Sequence, residues 1–145
     1  MSFFGQEQPG QEQADALEDI KRIARVWFDE VMNGKDLTAI DRSYAEDYEY
    51  HGPHGVGVTG RDGARAVAER LIASMPDRVA TVELQIAEGD LVATRWVSRG
   101  TPTQPLLGVT PDGRAVEVHG ITVSQIVEGL VAQDWEIVEV VKEPT

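Results

Sequence analysis

The sequence contains no cysteine, which excludes disulfides, thiolate nucleophiles and thiolate metal sites. It has no apolar run approaching the length of a membrane span. Residues Met1 to Gln13 carry neither a basic cluster nor a long apolar core, so they do not read as a secretory signal. Basic residues are few: 13 Lys and Arg stand against 25 Asp and Glu, a formal net charge of −12. Such a surface repels polyanions, so neither nucleic acid nor an anionic membrane is an expected partner. The expected setting is the cytoplasm.

What is present fits one domain. The chain has 145 residues with an ordinary apolar fraction, enough to bury a sizeable core. Residues 1–13 read as a flexible polar tail and 14–145 as a single domain. From Ala14 to Asn33, Leu17, Ile20, Ile23, Ala24, Trp27, Phe28, Val31 and Met32 form one helical stripe, which Gly34 ends. Asp36 to Tyr44 reads as a short second helix with Asp36 as N-cap. Tyr48 and Tyr50 are extended in character, and a glycine-rich loop, His51 to Gly60, follows. Asp62 to Met75 reads as a third helix that Pro76 stops. The remainder is β-rich: Val79 to Ala87, Leu91 to Arg99, Arg114 to Val127 and a closing strand to Val141. Helices first and an antiparallel meander second predict an α+β fold, three helices packed on a strongly curved sheet. A helix laid across such a sheet encloses a cone, a natural small-molecule pocket.

The closing hairpin carries the chemistry. Glu128-Gly129 is a two-residue turn signal that pairs Val127 with Leu130. Regular counting outward sets Val123 opposite Asp134 and His119 opposite Val138. His119, Ile121, Val123 and Gln125 then share a face with Ala132, Asp134, Glu136 and Val138. The opposite face carries Thr122, Ser124, Ile126, Gln133 and Trp135. A histidine and two carboxylates on one apolar face make the best candidate for a reactive centre.

The chain resembles the SnoaL-like polyketide cyclase family, within the nuclear transport factor two-like superfamily. The resemblance runs from about Ile20 to Val141. It is carried by Val26-Trp-Phe-Asp-Glu-Val-Met-Asn-Gly-Lys-Asp-Leu37 and by Leu91-Val-Ala-Thr-Arg-Trp-Val-Ser-Arg-Gly-Thr101. It continues in Leu106-Leu-Gly-Val-Thr-Pro-Asp-Gly-Arg114, Val118-His-Gly-Ile-Thr-Val123 and Glu128-Gly-Leu-Val-Ala-Gln-Asp-Trp135. It implies a cone-shaped fold, a homodimer, no metal and no organic cofactor. It also implies an acid/base residue on the last strand that promotes intramolecular aldol closure, at the position of Asp134. Many relatives have a histidine after the Gly-Thr pair where this chain has Pro102, and a glycine where it has Gln104.

Asp134 is accordingly the expected catalytic group, since a carboxyl in an apolar cup can be tuned towards neutral pH. The alternative is a plain ion pair with Arg95. His119 is expected beside it, as a positioning group or a base, or else as a solvent-exposed rim residue. His51, Tyr50, Trp96, Glu136 and Trp27 are expected to contact an apolar, carbonyl-bearing ligand. Trp27 could equally be core. His51 and His54 lack a third ligand, so no metal site is expected. The function implied is a cofactor-independent cyclase or isomerase. A non-catalytic binding or dimeric scaffold protein stands as the alternative, and an epoxide-type hydrolase ranks below both.

Overall fold

In the computed structural model, which describes residues 9–142, α1 runs Pro9–Val26 and so begins before the expected Ala14. Residues 9–13, assigned to the tail by sequence, are therefore helical; residues 1–8 of that tail lie outside the described residues. The stripe does not stay α-helical to its end. Trp27–Asn33 form a π-helical segment whose wider turn sets Phe28, Val31 and Met32 into the core. Next come α2 (Thr38–Ser43), β1 (Tyr44–His51), β2 (Gly57–Thr59) and α3 (Gly60–Ser74). The second helix is shorter than expected, because Tyr44 already opens β1 and is 2 % exposed. The strands β3 (Val79–Glu88), β4 (Leu91–Gly100), β5 (Val116–Val127) and β6 (Leu130–Lys142) close the chain.

The six strands form one sheet in the order β2-β1-β6-β5-β4-β3. Every pairing is antiparallel except β1 with β6, which run parallel. The three α-helices pack on this mixed sheet, an α+β fold as expected. α1 lies against β3 and β4 and α3 against β1, and the core fills the space between. Among the described residues no helix is long and apolar enough to cross a membrane.

The Glu128-Gly129 turn forms as expected, with Val127 opposite Leu130 and positive φ at both turn residues (52° and 79°), the geometry of the primed hairpin turns. The register beyond it differs from the regular count. Ile126 faces Val131 and Gln125 faces Gln133, so Ala132 is an extra residue on β6, a β-bulge. Everything past the bulge moves by one position, and each cross-strand assignment changes face. Asp134 stands opposite Ser124 rather than Val123, and Val138 opposite Gly120 rather than His119. Thr122 and Ser124, expected on the outer face, are buried on the inner one.

Candidate active site

β6 lies between β1 and β5 and sends Asp134 and Glu136 from consecutive inward positions into the space beneath the helices. Each carboxylate is held by one tyrosine from β1 and one hydroxyl residue from β5. Tyr48 Oη donates to Asp134 Oδ2 at 2.7 Å, and Ser124 Oγ donates to Oδ1 at 2.5 Å. One pleat along, Tyr50 Oη donates to Glu136 Oε1 at 2.8 Å, and Thr122 Oγ1 donates to Oε2 at 2.6 Å. The Trp96 indole N–H in turn donates to Thr122 Oγ1 at 2.9 Å. The same arrangement is thus built twice, because three adjacent strands each place polar residues two positions apart.

Burial governs the electrostatics. Asp134 is 7 % exposed, and loss of water raises its pKa to about 6. The Ser124 and Tyr48 hydrogen bonds oppose that rise, and the nearby Glu136 charge adds to it. Glu136 is also raised by burial, against its Thr122 and Tyr50 bonds and the more distant Arg78. Each carboxylate oxygen has two lone pairs, so hydroxyls on both oxygens still leave acceptor capacity for a ligand proton.

The enclosed space has two parts. A chamber of about 550 Å³ is lined by Met32, Trp96, Val118 and Val138, and by Arg70, Arg78 and Gln104. A narrow extension of about 30 Å³ reaches Asp134, Tyr48 and Ser124. Trp27, Phe28, Tyr50, Leu71 and Glu136 line both, so Glu136 sits at the junction and Asp134 at the inner end.

Of the residues singled out by sequence, the fold brings together Asp134, Glu136, Tyr50, Trp96 and Trp27 around this space. It does not bring His119 there. The bulge at Ala132 puts His119 on the opposite face, where its Nε2 lies 2.8 Å from Glu117 Oε2. His51 also points away, stacked on Trp135 with ring centroids 5.5 Å apart and bonded to Gln133 at 3.1 Å. Arg95 pairs with Glu83 at 3.3 Å on the outer face and does not meet Asp134. His54 lies at the chamber wall without His51. Sequence reasoning missed Tyr48, Ser124, Thr122 and Arg78. The matching i, i+2 spacing of Tyr48/Tyr50, Thr122/Ser124 and Asp134/Glu136 was the available signal.

A helix-covered mixed sheet with a pocket that holds two carboxylates, Asp134 buried and Glu136 half-buried, defines an α+β protein with an internal pocket. The sequence pattern of the SnoaL-like polyketide cyclase family matches residues 22–142, and the chain belongs to that family. Among solved structures it is similar to wild-type IdmH of Streptomyces antibioticus, a candidate polyketide cyclase. The identity is 30 %, covering 83 % of this chain and 91 % of that one, with a TM-score of 0.72. It shares its fold with a candidate SnoaL-like polyketide cyclase of Jannaschia sp. CCS1 (22 %, 93 % and 92 % covered, TM-score 0.78). It also shares the fold of AclR of Streptomyces galilaeus, a candidate hydroxylase (23 %, 85 % and 80 % covered, TM-score 0.71). No curated protein matches the chain.

Proposed function

We propose that the protein is a cofactor-independent cyclase or isomerase that transfers protons on an apolar, carbonyl-bearing molecule held in the chamber. The observation that carries this reading is Asp134: a buried carboxyl lining the pocket, with a pKa raised to about 6. At neutral pH such a group is mostly ionised yet basic enough to take a proton from carbon next to a carbonyl. In an aldol closure the resulting enolate carbon forms the new C–C bond to a second carbonyl carbon of the same molecule. The alkoxide so formed takes back the proton held on Asp134, and the group is reset. Glu136, bordering both parts of the pocket, can accept a hydrogen bond from a hydroxyl of that molecule. Tyr48, Ser124, Tyr50 and Thr122 hold the two carboxylates in position.

Solvent exchange tests this reading without knowledge of the natural substrate. 2-Tetralone in D₂O should exchange its α-hydrogens faster with the protein than with buffer, and Asp134→Asn should remove the excess. Exchange at the buffer rate with the wild-type chain would refute proton transfer in this cone.

The outer face of the sheet supports the homodimer that the family resemblance implies. Two adjacent cross-strand rows, Ile86-Ala93-Val123-Trp135 and Leu84-Arg95-Ile121-Ile137, are largely apolar. Ile137, on the interior strand β6, is 78 % exposed, and Ile86, on the edge strand β3, is 65 % exposed, a large apolar face left open to solvent.

A further inference from the structure

Proton transfer by Asp134 leaves the two arginines of the chamber, Arg78 and Arg70, without a task. Arg78 follows α3, is 9 % exposed and lines the large chamber. Its Nη2 donates to the Leu71 carbonyl at 3.3 Å, while its Nε is fully enclosed and has no hydrogen-bond partner. Among the described residues no carboxylate forms an ion pair with it. Glu136 acts on it only from a distance, with both of its own oxygens engaged by Tyr50 and Thr122.

That arrangement is costly. A guanidinium stays charged at neutral pH, and removing it from water without a counter-ion is strongly unfavourable. The chain carries 25 acidic side chains, so the missing partner does not reflect a shortage of carboxylates. Arg70, four residues before the end of α3, lines the same chamber from an exposed position, and the Ser98 side chain lines it from β4. Neither arginine borders the narrow extension that holds Asp134. Positive charge and the candidate base therefore occupy different ends of one space.

We infer that Arg78, with Arg70 at the rim, binds a carboxylate carried by the ligand of the chamber. The substrate class is then an apolar ring or chain compound with an acid group remote from its reacting carbonyl. Turnover of that ligand rests on the proton-transfer reading; the binding site would stand if the ligand left unchanged. The Nη groups, unlike the sealed Nε, are the donors a planar carboxylate can meet, and the apolar wall takes the body of the molecule. The net charge of −12 repels an anion from the rest of the surface, so a preference for one would report this site.

The test is calorimetric titration with 2-naphthoate and with neutral 2-naphthamide, which has nearly the same shape. The wild-type chain should bind the naphthoate about tenfold tighter or more, as a charge-assisted pair requires. Arg78→Met should bring the two affinities together and leave that of the naphthamide largely unchanged. Arg70→Met should reduce the preference part of the way. Equal affinities in the wild-type chain would overturn the inference, as would a preference that survives Arg78→Met. If Arg78→Met does not fold, Arg78→Lys keeps the charge but not the fork, and should weaken the preference while retaining its direction. Asp134→Asn separates the two readings: it should lose exchange of 2-tetralone yet keep the naphthoate preference. Should Asp134→Asn exchange normally with the preference intact, the proton-transfer reading fails and the carboxylate site stands.

Discussion

Asp134→Asn should change stability in a way that depends on pH, because the wild-type carboxyl is costly to ionise where it sits. Its folded pKa of about 6 compares with an ordinary value of 3.8. The folded chain therefore holds a proton over a range in which the unfolded chain has lost it. Below about pH 4 both states are protonated, and the group carries no penalty. As pH rises from about 4 to 6, the unfolded state gains from ionising while the folded state does not, so stability falls. Above about 6 both are ionised and the loss is complete, about 3 kcal/mol for a difference of this size. Asparagine keeps the shape and has no charge to desolvate, so its stability curve should lack this fall. The variant should be close to the wild-type chain at pH 4 and gain on it by up to about 3 kcal/mol at pH 7, less whatever the exchanged hydrogen bonds lose. For a chain of this size that is a rise in Tm of roughly 10 °C. Paired urea titrations of both chains at pH 4, 5, 6 and 7 would measure it. A difference in stability that stays constant across those four values would refute the burial argument, and with it the basis for treating Asp134 as a tuned base. Exchange of 2-tetralone by the wild-type chain should rise with pH through about 6 and then level off, since the base works only when ionised.

Tyr48→Phe deletes a hydrogen bond that favours the ionised form of Asp134, so the rising limb of the exchange profile should move up by roughly one on the pH scale. An unmoved limb would mean that Tyr48 does not tune Asp134. Gly120→Ala should destabilise by about 1–3 kcal/mol, because a Cβ there would fall within the Trp96 indole that lies across the glycine. Chemical denaturation measures that cost, and a neutral result would mean that the indole can shift. Ile137→Glu should turn a dimer into a monomer in sedimentation velocity, and a wild-type chain that is monomeric at every concentration would remove the assembly.

The fold was readable because its cues are local and repeated. The stripe from Leu17 to Met32, the breakers at Gly34 and Pro76, and the Glu128-Gly129 turn each act over a few residues. They place elements even when the ends are off by several positions, as at Pro9 and Tyr44. The site was half readable. Asp134, Glu136 and Tyr50 are a matter of alternation along single strands, which the sequence displays. Their neighbours are a matter of register between strands, and one inserted residue at Ala132 reversed it. No glycine or proline marks that bulge. Regular counting consequently sets His119 beside Asp134 and turns Thr122 and Ser124 to the wrong face. Arg78 is hidden from the sequence for another reason. An arginine just after a helix reads as solvent-facing, whereas the fold leaves it 9 % exposed in the wall of the chamber.

The doubled carboxylate arrangement also makes strand β6 a ruler. Successive inward positions on a strand are roughly 6.6 Å apart, and here each graduation bears a carboxyl, a tyrosine and an aliphatic hydroxyl. A molecule sliding inward by one pleat would exchange one such set for a near copy of itself. Choice between the two depths then falls to the differences: one methylene of reach and the narrowing past Glu136. A pocket graduated in this way could accommodate ligands of two lengths without any change in its chemistry.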